Sequence, residues 1–357
     1  MNIGIIDADL IDNGTRHPNL ACMKLSGYYK AQGHTVRLLE TYKLIPYYDK
    51  VFVSKVFDFT KTPNLNKYKN VEIGGTGFFG IDAPDLPYEV EHCMPDYHLY
   101  DKYIEHEIKR GIKPSHFKDY QIASIGFITR GCFRKCSFCV NRKYDKCQKH
   151  ADITEFLDPT RKVMYFWDDN FLAYSNWKDE LLKISEIGKP FVFRQGLDIR
   201  LMTEEKAKLL SSMKYYGGWI FAFDHVEDAD LISRKLEIWK RYCTSNTRLY
   251  VLVAYDSQDA TDIVNAFIRI EILMKYGCIP YIMRYKDFKE SEYRGMYIAL
   301  ASWCNQPAFF KKLSFRQFCE KSQGARLIYM TEFEKKHPNI ARRFFDIRFE
   351  DLNEYKK

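Results

Sequence analysis

The sequence predicts an α/β protein: a short parallel sheet covered by helices, then an incomplete (β/α)6 barrel, then a mainly helical C-terminal extension. Three observations carry this reading. Short apolar runs alternate with amphipathic helical stretches twice along the chain, on either side of a segment of scattered Pro, Tyr and charged residues. In the second series, polar residues recur at the ends of the apolar runs, where parallel barrels gather their sites. The length of 357 residues suits two domains and an extension better than one domain.

In the first series, Ile3 to Ala8 reads as a buried strand and Asn13 to Asn19 as a polar loop. An amphipathic helix follows from Leu20 to Gln32, with Pro18 and Asn19 as its start signal and Gly33 as its stop. His34 to Leu39, Lys50 to Phe57 and Val71 to Ile73 complete a Rossmann-like sheet in residues 1–83. The run Gly74-Gly75-Thr76-Gly77 reads as a turn at the sheet edge, with a phosphate or cofactor cradle as the alternative. Residues 84–115 are expected to form a linker.

In the second series, residues 116–289, the strands are Ile122–Thr129, Lys162–Trp167, Phe191–Arg194, Trp219–Asp224, Arg248–Tyr255 and Ile279–Arg284. The main helices between them are Trp177–Ile187, Glu204–Met213, Asp228–Arg241 and Ala260–Tyr276. Residues 290–357 read as the helical extension.

Composition narrows the function classes. With 46% hydrophobic and 16% aromatic residues there is ample core material. No apolar run approaches the roughly 18 residues of a membrane span, and the N-terminus lacks the basic-then-apolar layout of a signal peptide. A soluble, cytoplasmic protein is expected, with no membrane partner. The net charge of +8 is modest, so it permits a nucleic-acid or other anionic partner without demanding one. Ten cysteines in such a chain read as free thiols and metal ligands rather than disulfides.

Three of them carry the functional signal. Cys132, Cys136 and Cys139 are spaced C-x3-C-x2-C on the loop after the strand Ile122–Thr129. Soft thiolates close together on one loop can each take one iron of a [4Fe–4S] cluster, leaving the fourth iron open to a small molecule. None of Cys22, Cys93, Cys147, Cys243, Cys278, Cys304 and Cys319 makes a second tight pair, and most read as buried apolar residues.

The loop, with Phe138 just before its last cysteine, resembles the signature of the radical S-adenosylmethionine (SAM) superfamily. That resemblance implies an oxygen-sensitive enzyme whose reduced cluster cleaves SAM to a 5′-deoxyadenosyl radical, which takes hydrogen from a substrate the sequence does not identify. It implies an electron donor such as flavodoxin or ferredoxin. It also implies SAM contacts. Asp168, Asp169 and Asn170 occupy the place of the family's second-strand Gly-Gly-Glu motif, with helix capping as the alternative. Phe138 would pack beside the adenine. Arg194 and Arg284 match a carboxylate or a substrate anion, or else pair with Asp198 or Asp224. Asp224, with His225, would face ribose, relay a proton or cap a helix.

The N-terminal unit resembles that of family members with a cobalamin-binding domain, but the Asp-x-His-x-x-Gly motif that supplies a cobalt ligand is absent. Neither His17 nor His34 has the right neighbours, so cobalamin is not expected. The alternative from a different class is a zinc-dependent nucleic-acid-binding protein, with Cys147 or His150 as the fourth ligand and a basic flank of Arg130, Arg134, Lys135, Arg142, Lys143 and Lys146.

Overall fold

The structure, a computed structural model, describes residues 1–355. Its first sheet has four parallel strands in the order β2-β1-β3-β4, formed by β1 (Asn2–Asp7), β2 (Thr35–Leu38), β3 (Lys50–Ser54) and β4 (Val71–Gly74). Strand residues alternate between its two faces. Ile3, Ile5 and Phe52 join one apolar cluster, and Ile6, Val51 and Val53 the other. Burial on both faces explains the near-continuous apolar run of β1. After Asp7 the chain turns directly into a short helix, Ala8–Asn13, because the Asp7 carboxylate accepts from Leu10 N at 3.2 Å. The helix Leu20–Ala31 begins where the sequence predicts: Asn19 Oδ1 accepts from Cys22 N at 3.3 Å, and Asn19 Nδ2 donates to Ser54 at 2.9 Å.

Residues 84–115 are built into this N-terminal core. They carry the helices Tyr88–Glu91 and Asp101–Lys109, and Tyr97, Leu99, Tyr100 and Ile104 are buried in the cluster of Ile3 and Ile5. Pro and charged residues gave the segment the look of a linker, but its tyrosines bring enough apolar area to hold it. Tyr100 is the clearest case: its hydroxyl donates to Asp7 Oδ2 at 2.9 Å and accepts from Asn19 N at 3.1 Å. The Gly-rich run packs against the Lys55–Phe57 segment that follows β3. Gly75 has φ +101°, and a Cβ on it would collide with the Lys55 carbonyl, while Thr76 Oγ1 donates to Val56 O at 2.8 Å.

Six further parallel strands form two three-stranded sheets, each in chain order. One holds β5 (Ala123–Gly126), β8 (Val163–Phe166) and β9 (Phe191–Phe193), and the other β10 (Trp219–Ala222), β11 (Thr247–Val253) and β12 (Ile279–Arg284). Shortly after β9, Leu197 makes a parallel bridge to Phe221 of β10. A two-stranded hairpin, β6 (Thr129–Arg130) with β7 (Gln148–Lys149), lies between β5 and β8. The helices Trp177–Ile187, Glu204–Ser211, Ala229–Tyr242 and Ala260–Lys275 occupy the predicted stretches to within two residues at each end. This is the predicted α/β architecture, with Rossmann-like and barrel-like parts.

The chain divides into two compact units, residues 1–176 with 182–192, and residues 177–181 with 193–357. The C-terminal helices, from Arg294–Cys304 to Pro338–Phe344, pack within the second unit, where the Phe267 ring meets Phe315 and Phe344 at 5.4 and 5.3 Å. Among the described residues, no helix is long and apolar enough to cross a membrane.

Burial pushes the Asp7 carboxyl up to about 6, against the opposing Tyr100 hydrogen bond. A raised carboxyl favours folding when protonated, so its contribution is full below about pH 4 and lost as pH rises through 6. Tyr100→Phe removes the donor and is expected to cost about 1–3 kcal/mol in urea unfolding. The cost should be greater at pH 8, where Asp7 is charged, than at pH 4; equal costs at both would show that Tyr100 does not serve that carboxylate.

Candidate metal centre

The three cysteines sit on a loop closed at its base by the β6–β7 hairpin, in which Thr129 pairs with Lys149 and Arg130 with Gln148. The β5–β8 pairing fixes what faces the loop. Gly126 lies beside Phe166, so the residues following each strand run side by side and the 168–170 segment meets residues 128–132. Asp168 is 1% exposed and accepts from Ile128 N at 3.2 Å, Thr129 N at 2.6 Å and Thr129 Oγ1 at 2.6 Å. Asp169 accepts from Gly131 N at 2.6 Å and from Asn141 Nδ2. The two carboxylates thereby hold the loop where it enters and where it leaves. Burial pushes Asp168 up to about 7 against its Thr129 donors, and burial raises Asp169 as well.

The sulfurs receive N–H donors. Arg134 N lies 3.3 Å and Asn170 Nδ2 3.2 Å from Cys132 Sγ, and Asn141 N lies 3.4 Å from Cys139 Sγ. Cys139 N donates to Cys136 O at 3.0 Å, tightening the C-x2-C turn. Gly131, at φ +92°, must be glycine, since a Cβ would collide with the Lys146 carbonyl. The Lys135 ammonium straps the loop by donating to Arg142 O at 2.8 Å and Asp145 Oδ1 at 2.7 Å. All three thiols are partly exposed. A half-open loop of three thiols with backbone and side-chain N–H groups on the sulfurs suits iron–sulfur ligation, in which such donors stabilise charge on the cluster. Asn170 Oδ1 is buried without a hydrogen-bond partner, a state that costs about 1–3 kcal/mol.

Beneath the hairpin lies a charge network. Glu91 receives His150 Nε2 at 2.9 Å and lies 3.6 Å from both Lys24 Nζ and Arg130 Nη2. Burial alone would raise Glu91, but the His150 bond and the two cations outweigh it and hold the carboxyl near 2. His150, one fourth ligand offered by the zinc alternative, meets Glu91 through Nε2. Among the described residues, no three or more of His, Cys, Asp and Glu stand close enough to hold one ion; a cube takes each thiolate on a different iron. Cys147 lies near Cys132 and Asp168, and burial pushes its thiol up to about 11.

The remaining predicted residues are placed as follows. Phe138 is half-buried on the cysteine loop itself. Arg194, Asp224 and Arg284 belong to the second compact unit. Arg194 is half-buried just beyond β9, and its carbonyl accepts from the Tyr250 hydroxyl at 3.5 Å. Asp198, one partner the sequence offered for it, binds Arg200 Nε at 2.7 Å. Asp224 lines a cavity of about 310 Å³ with His225, Asp256, Asp262 and Arg269, and burial raises its carboxyl. Arg284 is exposed at the end of β12, with its guanidinium 4.5 Å from the Phe288 ring centre. Thr129, Asn141 and Glu91 were not predicted; neither spacing nor composition marks them, since each matters through a contact distant in sequence. In the N-terminal domain, His17 Nδ1 lies 2.6 Å from Asp119, and His34 meets the Met1 amino group at 3.3 Å.

No protein-family model matches the sequence, and no curated protein does. The fold is shared with two solved structures of TsrM, a radical S-adenosylmethionine methyltransferase from Kitasatospora setae. One has cobalamin and a [4Fe–4S] cluster bound; it is 11% identical, with a TM-score of 0.53, over 79% of this chain and 74% of that one. The other, with tryptophan substrate and the SAM analogue aza-SAM, is 12% identical with the same TM-score, over 79% of this chain and 72% of that one.

Asp168 gives a pH test of the loop anchor. Its folded value of about 7 stands above the ordinary 3.8, so its contribution is full below about pH 4 and lost as pH rises through 7. The stability difference between wild type and Asp168→Asn should therefore fall across that window and level off above it. A difference independent of pH would show that this carboxyl titrates normally.

Proposed function

We propose that this chain is a radical SAM enzyme: Cys132, Cys136 and Cys139 hold a [4Fe–4S] cluster whose fourth iron receives SAM. The single observation that carries the reading is the arrangement of the cysteine loop, with three half-exposed thiols, N–H donors on two sulfurs and anchoring carboxylates at both ends. The fold shared with TsrM supports it. When bound, the cluster and SAM supply a 5′-deoxyadenosyl radical by one-electron cleavage of the sulfonium. The chain's own residues anchor the loop through Asp168 and Asp169. Asn170 Oδ1, a buried acceptor lacking a donor, suits the SAM ammonium, and Phe138 suits its adenine. Arg194, Asp224 and Arg284 are proposed, on their own chemistry, as groups for a carboxylate, a ribose or an anionic substrate. The electron comes from a flavodoxin- or ferredoxin-type donor.

The N-terminal sheet is proposed to work without cobalamin. His17 is held by Asp119, His34 meets the Met1 amino group, and the Gly-rich run packs against the Lys55–Phe57 segment. Anaerobic incubation with hydroxocobalamin followed by gel filtration should leave no corrinoid on the protein; a stoichiometric amount retained would reverse this assignment.

Anaerobically reconstituted protein is expected to bind about four irons, give an S = 1/2 signal on dithionite reduction and release 5′-deoxyadenosine from SAM. Cys132→Ala, Cys136→Ala and Cys139→Ala should each abolish the signal and the release, whereas Cys147→Ala should keep both. Colourless protein carrying stoichiometric zinc would refute the reading.

A further inference from the structure

We infer that Asn170 tunes the cluster, acting as a positioning residue that fixes Cys132 Sγ and raises the cluster's reduction potential through its side-chain N–H. This rests on the iron–sulfur reading above and goes beyond it by giving one residue a measurable electronic role.

Asn170 follows the two anchoring carboxylates and is 3% exposed. It opens the short helical turn Phe171–Ala173, but its side chain makes no capping hydrogen bond there, so capping does not account for it. Nδ2 lies 3.2 Å from Cys132 Sγ, and Oδ1 is buried with no partner. A thiolate has no proton to give, so only the amide orientation that turns Nδ2 toward sulfur is favourable, and Oδ1 is necessarily turned away. An asparagine buried with half its polar capacity unmet is retained at a cost to stability. Oδ1 is thereby left for the SAM ammonium, while Nδ2 stays on the cysteine sulfur.

The direction of the effect follows from electrostatics. Reduction adds one electron to the cluster, and part of that charge resides on the cysteine sulfurs. A donor aimed at Sγ stabilises the more negative, reduced form and so raises the potential. The Arg134 amide also serves Cys132, but it belongs to the backbone and survives any side-chain change. Cys132 is therefore the ligand that one substitution can alter without disturbing the loop's covalent frame. Asn170 sits with Asp168 and Asp169 on one short segment, so its approach to the sulfur is held by the same anchors that hold the loop.

The test compares wild type, Asn170→Leu and Asn170→Ser, each reconstituted anaerobically with iron and sulfide and titrated by EPR against dithionite in the absence of SAM. Leu keeps the shape, removes the donor and also removes the unmet acceptor, so its apo-protein Tm should be unchanged or higher. Its cluster should load fully and show a lower midpoint potential than wild type. Ser carries its hydroxyl one bond nearer the backbone, short of the sulfur, so its potential should fall toward that of Leu. A fully loaded Leu variant with the wild-type potential overturns the inference while leaving the iron–sulfur reading intact. Loss of the cluster from both variants also overturns it, since Asn170 would then be required for assembly rather than tuning. Wild-type protein that takes up no cluster removes the iron–sulfur reading itself, a result distinct from either.

Discussion

The pairing of β5 with β8 is the constraint from which the site follows. Parallel strands in register end together, so two segments leaving Gly126 and Phe166 must run side by side beyond the sheet. One carries the cysteines and the other Asp168-Asp169-Asn170. Backbone N–H groups of the first segment have left the sheet ladder and need acceptors, and the second segment supplies carboxylates at successive positions. Slipping the register by one residue would turn Asp168 away from Ile128 and Thr129 and leave those buried amides unmet. The loop's position is therefore set by sheet geometry first, and side chains then secure it.

Burial of charge recurs throughout the first unit. Asp7, Asp168 and Glu91 all lie in low-dielectric surroundings, yet they do not behave alike. Asp7 and Asp168 meet neutral donors, which offset only part of the desolvation, so both carboxyls stand above the ordinary range. Glu91 meets Lys24, Arg130 and His150, and two cations with a direct hydrogen bond overcome the same penalty. The neutral-donor sites anchor the backbone locally, at a strand end or a loop entrance. The charged site joins the helix Tyr88–Glu91 to the residues on both sides of the β6–β7 hairpin.

Much of this was legible in the sequence because it depends on local patterns. Periodicity located every strand of the three parallel sheets, and the cysteine spacing drew attention to the loop that the two carboxylates anchor. The sequence could not show that Asp168 and Asp169 spend their oxygens on the loop, since acidic residues after a strand look the same whether they face a ligand, a helix end or another loop. The 84–115 segment was misleading for a related reason. Its Pro and charged residues speak for a linker locally, while the tyrosines that anchor it reveal themselves only against Asp7 and Asn19, which are far away in the chain. Arg284 sits at a strand end, as the sequence indicated, with its guanidinium exposed over the Phe288 ring, a contact that pattern alone does not mark.

The basic flank of the cysteine loop can be read by the same accounting. Its concentration of Lys and Arg first suggested a surface for nucleic acid, but several members are matched within the unit. Lys135 pairs with Asp145 at 2.7 Å, Lys143 with Asp85 at 2.7 Å, and Arg130 approaches Glu91 while its guanidinium lies 3.6 Å from the Phe127 ring centre. A patch used for phosphates would keep its cations unpaired, whereas these three have carboxylate partners, two of the pairs lying at the surface. The flank thus serves the loop before anything else: Lys135, Lys143 and Arg130 tie residues of the cysteine segment to Asp145, Asp85 and Glu91.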